Sequence, residues 1–165
     1  MENTIYCLAT SEEQANEILT HLRNLGFSAS EISILLKTKD TRNISVEEDA
    51  VRGARKGGIA GALGALALTV LTIPALGPLA VAGPIVSLLG GAVAGGVVGG
   101  LAGGSGALTH IGIPERDSQP IEQKLHDGAI FVAVHTSDPV RRDRAFRVFK
   151  SAGAEDICGS EDAAA

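Results

Sequence analysis

The 165-residue chain has no tryptophan, a single tyrosine and four phenylalanines. At 3% aromatics it lacks the stacking platforms on which RNA bases are read. Its net charge of −5 supplies no basic field, so nucleic acid is not an expected partner. Cysteine is scarce too. Cys7 and Cys158 alone make no disulfide framework, and they fit a reducing, cytoplasmic setting. The opening Met-Glu-Asn-Thr-Ile-Tyr has neither the basic start nor the long apolar core of a secretory signal.

Chemistry-bearing motifs are missing as well. His21, His110, His126 and His135 are not set at metal-ligand spacing from Cys, Asp or Glu, which leaves them structural or interfacial roles. Gly53-Ala-Arg-Lys-Gly-Gly58 lacks the Gly-Lys-Ser/Thr order of a P-loop, and Gly104-Ser-Gly106 fails the nucleophile-elbow pattern. No catalytic residue, metal or cofactor is therefore assigned, and the expectation is a protein that is not an enzyme.

The most informative absence is charge itself. Residues 57–109 contain no Asp, Glu, Lys, Arg or His, and most of the 21 glycines lie there. Two apolar runs, 57–73 and 84–109, flank a proline-studded segment, 74–84. This predicts a hairpin of two helices, 57–110 with its margins. A membrane span needs about 20 apolar residues. The second run is long enough, and the first reaches about 26 Å at 1.5 Å per residue. Small residues recur every fourth position, at Gly53, Gly57 and Gly61 on the first run and at Gly91, Gly95, Gly99 and Gly103 on the second. Such rows allow close helix–helix approach, the glycine-zipper mode of association in membranes. Arg52, Arg55 and Lys56 sit at the membrane flank. The positive-inside rule then places both ends, and the folded part, on the cytoplasmic side of the inner membrane. Membrane lipids and further copies of the chain are the expected partners. The alternative is a hairpin covered by the protein's own sheet or by oligomerisation.

Charge-rich sequence surrounds this tract and reads as two β-α-β units. Thr4-Ile-Tyr-Cys-Leu-Ala9 predicts a strand. Ser11 with Gln14 three residues on is a capping-box pattern, and Glu12 and Glu13 suit the first helical turn. Ala15, Ile18, Leu19, Leu22 and Leu25 follow at helical spacing until Gly26, and residues 31–36 form the next strand. The second unit repeats the plan. Residues 129–136 make a strand, Ser137 caps a helix through about Ser151, and residues 155–158 make a short last strand. Val140, Ala145, Val148, Phe149 and Ala152 are its expected apolar face. Arg141, Arg142, Arg144, Arg147 and Lys150 make this helix basic, whereas Glu12, Glu13 and Glu17 make the first one acidic. Cys7 and Cys158, on strands expected to be neighbours, are two buried apolar residues or a redox pair. The fold class expected is α+β. A ferredoxin-like split domain, 1–37 plus 127–160, carries both helices on one face. Residues 38–56 form a charged linker, 111–126 a short connecting helix interrupted near Pro120 with a start near Ser118, and 161–165 a tail.

This layout resembles the bacterial general stress protein 17M-like family of heat- or low-temperature-induced membrane proteins. The matching stretches are Thr4-Ile-Tyr, Ser11-Glu-Glu-Gln-Ala, Ile32-Ser-Ile and the Ile73–Pro84 hairpin with its Pro-Ala-Leu-Gly-Pro run. Gly112-Ile-Pro-Glu115, Gly128-Ala-Ile-Phe-Val-Ala-Val134 and Asp156-Ile157 complete them. The resemblance implies stress-linked expression and a membrane location, and no catalytic residues. The expected function is a membrane-associated, self-associating stress protein. An oligomeric scaffold or pore, and a small-ligand-sensing domain, are the rival readings.

Overall fold

A computed structural model describes residues 4–37, 69–73, 77–85, 108, 113 and 115–159. Along the chain they form β1 (Thr4–Ala9), α1 (Glu12–Asn24), β2 (Ile32–Lys37), β3 (Thr69–Ile73), β4 (Gly77–Ala82), α2 (Glu115–His126), β5 (Ile130–His135), α3 (Pro139–Ser151) and β6 (Glu155–Gly159). The fold is α+β, one antiparallel sheet with three helices among the described residues. Strand order is β3-β4-β2-β5-β1-β6, and every pairing is antiparallel.

Each helix ends in the same device. After α1 the Gly26 N–H donates to the Arg23 carbonyl at 2.9 Å and Phe27 N–H to Leu22 at 3.1 Å. Gly128 and Ala129 repeat this after α2, and Gly153 and Ala154 after α3. This paired closure satisfies carbonyls that the helix itself leaves free, and it needs a left-handed residue, here glycine, at the first position. At the start of α1 the Ser11 hydroxyl accepts from Gln14 N–H at 3.2 Å. The α3 cap is Asp138 rather than the expected Ser137. Its Oδ1 accepts from Val140 N–H at 2.8 Å, because Pro139 at the first helical position has no N–H to offer.

Strand alternation splits the core in two. One face of the sheet carries Ile5, Cys7, Ile34, Val132 and Val134, and it is closed by Ile18, Leu19 and Leu22 of α1 and Ala145, Val148 and Phe149 of α3. The other carries Tyr6, Leu8, Leu35, Leu79, Val81 and Phe131, and it is closed by Ile121 and Leu125 of α2 with Ile85, Leu108 and Ile113. The α1 and α3 helices lie side by side and antiparallel. The Gln14 amide at the start of α1 donates to the Ala152 carbonyl beyond the end of α3. Arg141 at the start of α3 reaches the Gly26 carbonyl beyond the end of α1. Val140 departs from its expected place on the apolar face and is 57% exposed. It stands five residues before Ala145, the wrong side of a 3.6-residue helix.

The charge-free tract is where the structure overturns the expectation. Residues 69–73 and 77–82, assigned to the first helix and its turn, are β3 and β4, a hairpin joined to the sheet through β4 and β2. Threonine, valine and isoleucine dominate β3, and branching at Cβ favours a strand over a helix. Among the described residues no helix is long and apolar enough to cross a membrane. The expected transmembrane helix and inner-membrane anchorage are therefore corrected. Of the apolar side chains of this tract that are described, Leu79, Val81, Ile85 and Leu108 are buried in the cluster on the sheet's second face, and Ala80 and Ala82 are buried as well. The helix expected to break near Pro120 is continuous from Glu115. Pro120 is solvent-exposed, and Ser118, expected near the start, is buried inside the helix.

Candidate functional site

None of the predicted packing residues, Gly53, Gly57, Gly61, Gly91, Gly95, Gly99 and Gly103, lies among the described residues. Nor do Arg52, Arg55 and Lys56 at the predicted membrane flank. The two cysteines do, and they cannot pair. β1 and β6 are neighbours, yet Cys7 faces the α1–α3 side and Cys158 the α2 side, where it stands opposite Tyr6. Burial pushes the Cys7 thiol far above its ordinary range, which makes it an inert core residue. Burial also pushes the Tyr6 phenol up, helped by Cys158 beside it, and the Tyr6 ring stacks on Phe131 at 5.4 Å.

Among the described histidines, His135 has the most polar company. Its Nε2 lies 2.8 Å from Ser33 Oγ and its Nδ1 3.1 Å from Thr4 Oγ1. Ser33 Oγ also accepts the Ile85 N–H at 3.1 Å. A serine beside an imidazole has the outline of a nucleophile and base. Here Ser33 has no exposed surface, and its oxygen already accepts a backbone N–H. The network ties β1, β5 and β2 to the segment leaving β4.

A second polar cluster holds the two long helices in place. Arg141 forms a two-pronged ion pair with Glu31, reaching Oε2 at 3.2 Å, while its guanidinium sits 4.5 Å over the Phe27 ring. Burial tends to raise the Glu31 carboxyl, but Ser28 and Arg141 outweigh it and hold it below its ordinary value. A lowered carboxyl contributes stability that is fully present above its unfolded pKa, about 4.3, and that is lost as pH falls through the lower native value. Acid titration of the Tm is therefore expected to show a limb below about pH 4.3. Arg141→Met should shrink that limb, and an unchanged limb would remove the Arg141–Glu31 pair as its source.

The outer surface of the α1–α3 layer carries the strongest functional features. Glu13 and Glu17 of α1 and Arg144, Arg147 and Lys150 of α3 are all exposed. None of the five forms an ion pair with another described residue, although the acidic and basic helices are neighbours. Large apolar side chains also reach solvent here or close by, Leu25 at 41%, Val140 at 57% and Phe146 at 42%. Between the two helices runs a groove of about 450 Å³. Leu25 and Val148 supply its apolar lining and Arg144 and Arg147 its cationic side, with His21, Asn24 and Ser151 completing it.

The sequence reading registered these arginines as a basic helix and missed the groove. The signal was present. His21, Asn24 and Leu25 are spaced three and four apart on α1, and Arg144, Arg147, Val148 and Ser151 are spaced likewise on α3. Which helix would stand opposite was the missing half. Among the described residues no group of three or more His, Cys, Asp or Glu is placed to hold a metal ion. No protein-family model matches the chain, nor does any curated protein or solved structure, so the likeness to the general stress proteins rests on the quoted residues alone.

Proposed function

We propose that this chain is a non-enzymatic, stress-linked protein that works by self-association, with the α1–α3 surface as the contact. The observation that carries this reading is the split charge of that surface. A two-fold axis running parallel to the helices and midway between them lays the acidic α1 of one copy on the basic α3 of the other, twice. Isologous contacts of this kind are the commonest route to a homodimer. The exposed Val140 and Leu25 would add apolar area, and Glu13, Glu17, Arg147 and Lys150, which form no ion pair with a described residue, would find partners across the interface. The strand order β6-β1-β5-β2 supports a ferredoxin-like core, extended at one edge by β4 and β3. The link to stress comes from the sequence resemblance. It requires the protein's level to rise on a temperature shift, and a constant level would remove that part.

Sedimentation equilibrium tests the contact. Glu13→Lys with Glu17→Lys should weaken the dimer at least tenfold, about 1.4 kcal/mol. Arg147→Glu with Lys150→Glu should do the same. Mixing the two variants should restore a heterodimer, since every pairing of positions 13 and 17 with positions 147 and 150 across it is then again of opposite sign. A monomeric wild-type chain, or a dimer that ignores both reversals, would sink the proposal.

A further inference from the structure

We infer that the groove between α1 and α3 is a binding site for a small amphipathic anion, a carboxylate head on a short apolar tail. Every charged group around it has the same tendency. Arg144 and Arg147 are permanent cations, His21 adds a ring nitrogen beside them, and among the described residues no acidic side chain lines the groove. Neither arginine is engaged in an ion pair with a described residue, and each guanidinium fork matches the two oxygens of a carboxylate. Asn24 offers a further donor. The Ser151 hydroxyl gives its proton to the Val148 carbonyl at 2.9 Å and so presents only its oxygen to the groove, which narrows the anion-binding end to the arginines. Leu25 and Val148 then mark the apolar end.

Leu25 is the residue that argues most directly for an apolar tail. It continues the buried row of α1 by sequence, yet as the helix cap it turns out of the core and stays 41% exposed at the groove. A volume of about 450 Å³ lies within the range of small-molecule sites, roughly 300–1,000 Å³. A bare inorganic anion would leave the leucine and valine unused, and an uncharged hydrocarbon would leave two arginines unpaired beside it.

The test is a titration of the full chain with octanoate, read from the methyl resonances of Leu25 and Val148. It is carried out in the Glu13→Gln/Glu17→Gln background, because the proposed dimer engages Leu25 and Arg147 of the groove itself; weakening that contact without changing a groove residue makes failure of the site distinguishable from failure of self-association. Both methyls should shift and saturate. Inorganic phosphate and acetate should bind at least tenfold more weakly, and octylamine should give no saturable shift. Arg144→Gln with Arg147→Gln should lower octanoate affinity at least tenfold at unchanged circular dichroism. Leu25→Asp, which places a negative charge in the apolar end, should abolish binding without touching either arginine. Methyls that do not respond, a response that survives both variants, phosphate binding as tightly as octanoate, or octylamine binding equally well would each overturn the assignment.

Discussion

Gly83→Ala is expected to be the most damaging single substitution in the described part of the chain. Gly83 follows β4 with φ +86, a conformation that L side chains rarely adopt. A Cβ built there would lie 2.0 Å from the Ile32 carbonyl oxygen and 2.9 Å from the Ser33 Cα. Both are backbone atoms of β2, an interior strand held on both sides, so neither can swing away as a flexible side chain would. The left-handed conformation alone costs a side chain about 1–3 kcal/mol. The steric overlap must then be relieved by moving β4 off β2 or by losing the Ile85 to Ser33 hydrogen bond two residues on. A loss of at least about 3 kcal/mol is expected, a large share of the 5–15 kcal/mol that stabilises a typical domain. Gly26→Ala is the internal control. Gly26 has φ +82, but nothing lies within 4 Å of its added Cβ, so only the conformational cost of about 1–2 kcal/mol applies. Chemical denaturation of the two variants compares them directly. Equal losses would mean that Gly83 is not the tight passage described here.

Phe131→Ala should come next. Phe131 is 1% exposed on β5, with β1 on one side and β2 on the other, and its ring stacks on Tyr6. Truncating a buried phenylalanine costs about 3–5 kcal/mol, from lost transfer energy and from the cavity left behind. The partners on this face are Leu8, Leu35 and Val81 from the sheet, with Ile121 and Leu125 from α2 and Ile85 and Leu108 from the tract. If this second core holds the tract down, the variant should both lower the denaturation midpoint and expose the chain near Ile85 and Leu108 to protease. Tyr6 is the only tyrosine and there is no tryptophan, so tyrosine fluorescence reports this face alone. A fluorescence change without loss of stability would mean that the face is loosely packed and that the α1–α3 side carries the fold.

The local chemistry of the flanking halves was legible because it acts over four or five residues. Ser11 with Gln14 marked the start of α1, and Gly26 marked where it closes. The alternation of Ile130-Phe-Val-Ala-Val134 identified a strand without any knowledge of its neighbours. The Gln14 side chain shows where such reading stops. Its Oε1 accepts from Thr10 N–H at 2.8 Å, a local bond. Its amide crosses to the Ala152 carbonyl, a partner 138 residues away that no local pattern announces.

The uncharged tract failed for a related reason. Absence of charge says that a segment avoids water, not what covers it. Spacing of glycines every four residues suggested helices. Residues 69–73 and 77–82 instead add two strands to the sheet, with branched residues in β3 and a ladder for β4 along the edge of β2. A sheet face of Tyr6, Leu8, Phe131 and Ala133, left open by the two long helices, offers the burial that a bilayer would otherwise provide. Composition and periodicity by themselves determined that there are strands and capped helices in the flanks, an acidic α1, a basic α3 and an apolar middle. Tertiary structure alone decided which face each one meets. It set Cys7 and Cys158 on opposite sides of the sheet, turned Leu25 outward, and brought His21 within one groove of Arg144 and Arg147. Those outcomes depend on pairings between residues far apart in the chain, and pairing energy is shared between partners that no single segment contains.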